Sequence, residues 1–295
     1  MWDRHFRLYN DLVGVSTKFA ALFLCAAAGF GQRPLDQNAA VVLANRPTAQ
    51  TAQEMLTTVR AVADVTDVSF DEARLIFTLR GQANLLGLAE WLLRAMDKPA
   101  GWQATAGESE SVALREYHLP KGPFPDPRAE WGPVARIYYL TNTTAPQGMQ
   151  ETLTVLRAVG EIQKVFNCTA PHIIAFRGTA TDVDLGEWLL RKLDVSAGDG
   201  TFARQKGNAD ADMLKLPGTP AGIEDIVRVF YLSHAATRKE MNALFAKIQA
   251  ATETRRSFWK TSPPTIVVRG TSAQLAQAQQ IIDSSQRTEP SLPQP

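Results

Sequence analysis

Apolar and polar positions along this chain repeat one order three times: strand, helix, strand, strand, helix. The middle copy is the clearest. Residues 134–140 are rich in β-branched and aromatic side chains and predict a strand. Residues 141–146 are turn chemistry. Met149, Leu153, Leu156 and Val159 then recur near helical spacing, with Gly160 as the expected stop. Residues 162–168 and 172–177 predict two more strands, joined at Pro171. Thr179 caps a closing helix that runs through Leu193, with Asp182 where an acid favours the helix start. The last copy gives a strand at 226–232, a helix at 239–250 and strands at 256–260 and 265–269. Its closing helix opens at Thr271, with Gln274 at capping-box spacing. The first copy is fainter: a strand at 41–43, a helix at 51–62, strands at 65–70 and 75–80, and a helix to Met96.

The copies share one spacing. Leu43, Leu140 and Leu232 close the first strands, and Gly81, Gly178 and Gly270 follow 38 residues later. Such self-similarity sets the fold class before any single residue does. The expectation is α+β: three tandem βαββα modules, each a small mixed sheet with two helices on one face. The modules span 38–98, 133–195 and 225–285. Linkers at 99–132 and 196–224 are rich in Gly, Pro and small residues, and each carries a Leu-Pro pair, Leu119-Pro120 and Leu216-Pro217. Residues 113–119 read as an additional strand. The polar, Pro-rich tail at 286–295 is expected to be disordered. A sheet covered on one side needs cover for its other face and its edges, which is a physical reason to string modules together or to stack copies.

The closing helices differ on their far sides. All three carry one apolar stripe toward their own sheet, such as Leu86, Ala89, Leu92 and Leu93 in the first. The first two add a second apolar pair, Leu88 with Trp91 and Leu185 with Trp188, where the third has Gln277 and Gln280. A helix apolar on two faces must be covered on two faces. These four residues are therefore the candidate protein interface, in module–module or protein–protein contacts; burial under the adjacent linkers is the alternative.

Composition narrows the partners. A formal net charge of +1 gives no electrostatic argument for nucleic acid or an anionic membrane. Residues 19–31 are apolar, uncharged and preceded by Arg4, Arg7 and Lys18, the plan of a secretory signal peptide over residues 1–31. Ala26 and Ala28 permit cleavage before Gly29, and cleavage before Gln32 is also open. The run is too short to span a bilayer comfortably. Removal of the leader takes Cys25 with it and leaves Cys168 alone, in an apolar run that suits a small buried hydrophobe better than a nucleophile.

At these residues a family resemblance emerges. The run 227–232, the helix after it, 265–271 and a helix ending at Asp283 together resemble the short periplasmic N-domain of secretins, the outer-membrane rings of type II and III secretion and type IV pilus systems. Residues 173–179 and 189–194 repeat the likeness. The resemblance implies a KH-like βαββα fold, a periplasmic address in a Gram-negative-type envelope and packing of like modules into rings. It also implies protein partners from a secretion or envelope complex, with membrane contact only through partners or an uncleaved leader. A secretin continues into a β-rich barrel region that this sequence does not contain.

No catalytic, metal or cofactor constellation is expected. His118, His172 and His234 are scattered, without carboxylates or cysteine at ligand spacing. No phosphate loop or nucleophile elbow occurs. Asp182, Asp184 and Glu187 read as a helix-start charge preference. The modules lack the Gly-x-x-Gly loop by which KH domains clamp nucleic acid. The leading expectation is thus a non-catalytic periplasmic assembly protein. A cytoplasmic KH-like nucleic-acid binder and an enzyme with a site in a linker groove are the alternatives.

Overall fold

The computed structural model describes residues 36–104, 115–120, 132–196, 212–217, 224–232 and 237–287. The expected leader with Cys25, His234, most of both linkers and the tail from 288 lie outside the described residues.

Three βαββα modules are present. The first comprises β1 (Gln37–Val42), α1 (Ala49–Ala63), β2 (Asp67–Asp71), β3 (Ile76–Gly81) and α2 (Ala83–Met96). The second is preceded by β4 (Arg115–His118) and comprises β5 (Val134–Tyr139), α3 (Pro146–Ala158), β6 (Lys164–Cys168), β7 (Ile173–Gly178) and α4 (Ala180–Leu193). The third is preceded by β8 (Met213–Lys215) and comprises β9 (Ile226–Tyr231), α5 (Arg238–Thr252), β10 (Ser257–Lys260), β11 (Thr265–Gly270) and α6 (Ser272–Arg287).

Local chemistry accounts for the helix ends. Thr179 with Asp182 and Thr237 with Glu240 form reciprocal capping boxes. Thr271 and Gln274 exchange the same pair of bonds, at 3.3 and 2.9 Å. Pro146 occupies the first turn of α3, where its missing N–H costs nothing. A left-handed residue follows the first helix of each module: Asp64 (φ 59°) and Glu253 (φ 54°) are the C-caps themselves, and Glu161 (φ 59°) lies two residues past the Val159 C-cap. The helix ends at Ala158, just before the expected stop at Gly160, and the left-handed turn that follows is made by Glu161. An acidic side chain in that conformation costs on the order of 1 kcal/mol, and two of these acids have a use described below.

The sheets correct one expectation. Their order is β1-β3-β2, β4-β5-β7-β6 and β8-β9-β11-β10, and every pairing is antiparallel. They are not mixed. The first helix carries the chain past the position beside the first strand, and the third strand of each module then inserts between the first two. The like-directed strands are never neighbours. The linkers also add strands. β4 falls inside the expected 113–119 strand, and β8 was not foreseen. Each ends at a Leu-Pro whose leucine N–H donates to the segment leading into the next strand, Leu119 to the Pro133 carbonyl at 2.8 Å and Leu216 to that of Asp225 at 2.9 Å.

All three modules lie in one compact unit, Gln37–Pro295. Their cores run into one another. Ala135, Ile137, Tyr139, Cys168, Ile173 and Ala175, all from the second sheet, share a cluster with the helices of the first module. Val227, Val229 and Val267 of the third sheet share the cluster of α3 and α4. Helices α1 and α2 are thus sandwiched between the first and second sheets, and α3 and α4 between the second and third. The central strand β7 is buried at all six positions, whereas β3 alternates between buried and exposed.

Candidate protein-interaction surfaces

The faces where one module meets the next hold specific side-chain contacts, and both junctions use the same set. Position by position, the second module follows the first by 97 residues and precedes the third by 92, as Gly81, Gly178 and Gly270 mark.

The first contact joins the first helix of one module to the β-hairpin of the next. Glu54 on α1 accepts from Thr169 N at 2.6 Å and Thr169 Oγ1 at 2.8 Å. Glu151 on α3, its equivalent, accepts from Thr261 N at 2.8 Å and from Thr261 Oγ1. Charge assistance makes such bonds about twice as strong as neutral ones.

The second contact uses the left-handed acids. Asp64 pairs with Lys164 and with the Arg177 guanidinium at 3.2 Å, and Arg177 also donates to the carbonyls of Val62 and Gly132. Glu161 pairs with Arg256 at 3.1 Å and Arg269 at 3.4 Å, and Arg269 donates to the Val159 carbonyl. In each case two cations on adjacent strands close on the end of the preceding module's first helix, where carbonyls and the macrodipole favour positive charge. Arg177 is 2% exposed. Arg269 is further held by Asp225, whose carboxyl it keeps below the usual carboxylate range.

The third contact is a tyrosine at the end of the first strand. Tyr139 Oη donates to the Ala95 carbonyl at 2.9 Å, and Tyr231 Oη to that of Lys192 at 2.8 Å. Each satisfies a carbonyl in the last turn of the preceding module's second helix.

The four candidate interface residues lie at these faces. Leu88 and Leu185 are buried, at 0% and 3% exposure, within the clusters that cross the two junctions. Trp91 is half-buried, its ring 5.6 Å from that of Tyr117 on β4. Trp188 is half-buried against the cluster that also contacts Leu214 and Leu216, from β8 and the residue after it. The linker strand β4 packs against Trp91, and Gly87 gives Tyr117 its room: a Cβ there would lie 2.6 Å from the phenolic oxygen.

Buried polar groups elsewhere are committed to structure. Lys260 Nζ lies at the second junction and donates to Thr143 Oγ1 and the Leu193 carbonyl, both at 3.0 Å. Burial pushes its pKa down to about 8, against the pull of Asp194 and Glu151. Cys168 occupies the equivalent place at the first junction, and burial pushes its thiol well up, away from nucleophilic character. Burial lowers the pKa of His172, and the His118 Nε2 lies 2.6 Å from Glu116. Of the acidic cluster, Asp182 caps α4, whereas Asp184 and Glu187 bind Arg136 at 2.9 and 2.8 Å. That role was not read from the sequence, since Arg136 lies on β5.

A groove of about 220 Å³ opens beside the first junction, lined in part by Arg46, Met55, Asp97, Lys98 and Pro171. Asp97 already accepts from Ala44 N and Asn45 N, Arg46 lies 3.8 Å from Glu72, and the Lys98 ammonium sits 4.8 Å from the centre of the Trp102 ring. They form no nucleophile–base pair. Among the described residues no group of three or more His, Cys, Asp or Glu could hold a metal, and no helix is long and apolar enough to cross a membrane.

No protein-family model matches the chain, and no curated protein matches it. Among solved structures, Aeromonas hydrophila ExeD aligns at 13% identity and a TM-score of 0.18, over 86% of this chain and 42% of that one. The type II secretion system secretin GspD of E. coli K12 aligns at 12% identity and a TM-score of 0.18, over 86% and 39%. The GspD of an ETEC pilotin–secretin AspS–GspD complex gives 13%, 0.18, 86% and 38%. The chain spans about two fifths of the length of these proteins. A superposition of this quality carries no argument about fold or function, so the class of the protein rests on its own geometry: a three-module α+β stack.

Proposed function

We propose that this chain is a non-catalytic protein-interaction and assembly component of the periplasm. On this reading it is exported through its N-terminal leader and acts within or beside a secretion or pilus envelope complex, in the manner of secretin N-domains. The observation that carries the proposal is the repeated junction. The same three polar contacts hold one module to the next at both junctions. The groove between them gathers no reactive set. Leu88, Trp91, Leu185 and Trp188 serve contacts between modules of one chain, and partners, including further copies in a ring, are met by other surfaces.

Expression in a Gram-negative host, osmotic-shock fractionation and N-terminal sequencing test the address. A mature N-terminus near Gly29 or Gln32 in the periplasmic fraction supports it. A chain that keeps Met1, stays in the cytoplasm and co-purifies with nucleic acid contradicts it. Crosslinking in intact cells followed by mass spectrometry then tests for envelope-protein partners.

A further inference from the structure

The three contacts that join the modules have two sides, and the chain carries both sides only at its internal junctions. The helix side consists of a glutamate on the first helix, an acid after that helix and a last-turn carbonyl of the second helix, with the leucine and tryptophan of that helix in the apolar cluster beside them. The sheet side consists of a tyrosine, a hairpin threonine and two paired cations.

At the third module the helix side is dismantled. Where Glu54 and Glu151 stand in the first two modules, the third has Ala243, and the buried Thr58 and Val155 give way to exposed Lys247. Leu185 and Trp188 give way to Gln277 and Gln280, both exposed. Only the acid persists, as exposed Glu253.

At the first module the sheet side is dismantled in the same way. The place of Tyr139 and Tyr231 is taken by Val42, which is 67% exposed and has no hydroxyl to offer. The hairpin threonine is replaced by Glu72, and the lysine of the cation pair by Asp67, which lies opposite Arg80 in the strand register. Asn38, Ser69 and Thr78 add exposed polar side chains to this face, with Ala40 among them.

From this we infer that the stack is closed at both ends: it is not extended head to tail by a second copy of this chain. In such a contact Glu253 would meet Asp67 beside Arg80, an acid and a cation where the internal junctions present two cations. Glu72 would meet Ala243, which offers no hydrogen bond. The two glutamines would lie against a face that carries Asn38, Ser69 and Thr78 where the third sheet carries Val227, Phe258 and Val267. Loss of pairing on one side alone could be drift, but here both sides of the same contact set have lost theirs, and only Glu253 and Arg80 keep their residue types. Polar outer faces at terminal units are also what a finite array requires. The inference rests on the repeat geometry and holds whether or not the chain is exported. A ring of copies would then be closed through the flanks of the stack and not its ends.

Sedimentation equilibrium tests this with two half-repaired chains. One carries Val42→Tyr, Asp67→Lys and Glu72→Thr, restoring the sheet side. The other carries Ala243→Glu, Gln277→Leu and Gln280→Trp, restoring the helix side. Far-ultraviolet circular dichroism establishes that each is folded. A milder pair, Glu72→Thr with Ala243→Glu, repeats the test without adding apolar surface. The wild type is expected to reach a plateau mass as concentration rises. The two half-repaired chains are expected to form a complex of one with the other when mixed, and a chain carrying all six changes to grow without plateau. Wild-type mass that rises without plateau and falls on Val42→Asp would overturn the closure. Half-repaired chains that remain folded but indifferent to each other, in both the full and the milder pair, would overturn the contact set it rests on.

Discussion

Single residues at the junctions sit in environments that their sequence neighbours do not announce. Lys260 ends an ordinary apolar strand, yet its ammonium is buried beneath the end of α4. Its folded pKa of about 8 lies below the 10.5 of an unperturbed lysine. Between those values the unfolded chain binds more protons than the folded one, so the lysine's contribution to stability rises with pH. Below about 8 the group is charged in both states and the full burial cost is present. The stability of the wild type relative to Lys260→Met is expected to climb by about 3 kcal/mol between pH 8 and 10.5, read from urea unfolding at each pH. A flat difference would mean that the ammonium reaches water. Arg177 makes the opposite case: a permanent charge held between Asp64 and two carbonyls. Arg177→Met is expected to lower unfolding free energy by about 3 kcal/mol in the same measurement, because carbonyls and a carboxylate lose a buried partner. Neither role was legible in the sequence. Periodicity marks which face of a strand is apolar, and it is silent about a charge whose partners include residues more than a hundred positions away.

At the scale of elements the reading went further. The strand–helix order, the capping boxes at Thr179 and Thr271 and the second apolar face of α2 and α4 all follow from local spacing and residue type. What local spacing could not supply was which strands become neighbours. A helix crossover between two strands suggests a parallel pair, and only the insertion of the third strand makes each sheet antiparallel. β8 escaped for a related reason: three residues, Met213 to Lys215, have no periodicity of their own and become a strand by pairing with β9. The Glu54–Thr169 and Glu151–Thr261 contacts join elements that are 115 and 110 residues apart. Glu54→Ala and Glu151→Ala are each expected to cost about 1.5–3 kcal/mol, the range for hydrogen bonds to a charged group. Lying at different junctions, the two losses are expected to add to within about 0.5 kcal/mol in the double variant. Denaturant melts of the four chains check both points. A double variant no weaker than either single one would mean that only one junction bears load.

For the whole molecule, the repeat predicted three similar modules joined by linkers and left their packing open, and the cores run through both junctions. The central sheet has no solvent face, and the same three contacts recur on either side of it. Opening one module would therefore strip apolar cover from its neighbour, so the stack is expected to open as one unit. Native-state hydrogen exchange on the full chain, followed by mass spectrometry of peptides covering β3, β7 and β11, measures this most directly. The account predicts one shared opening free energy for the three strands, equal to that of global unfolding. Exchange of β11 through an opening several kcal/mol easier than that of β3 and β7 would contradict it, and would make the modules separate beads after all.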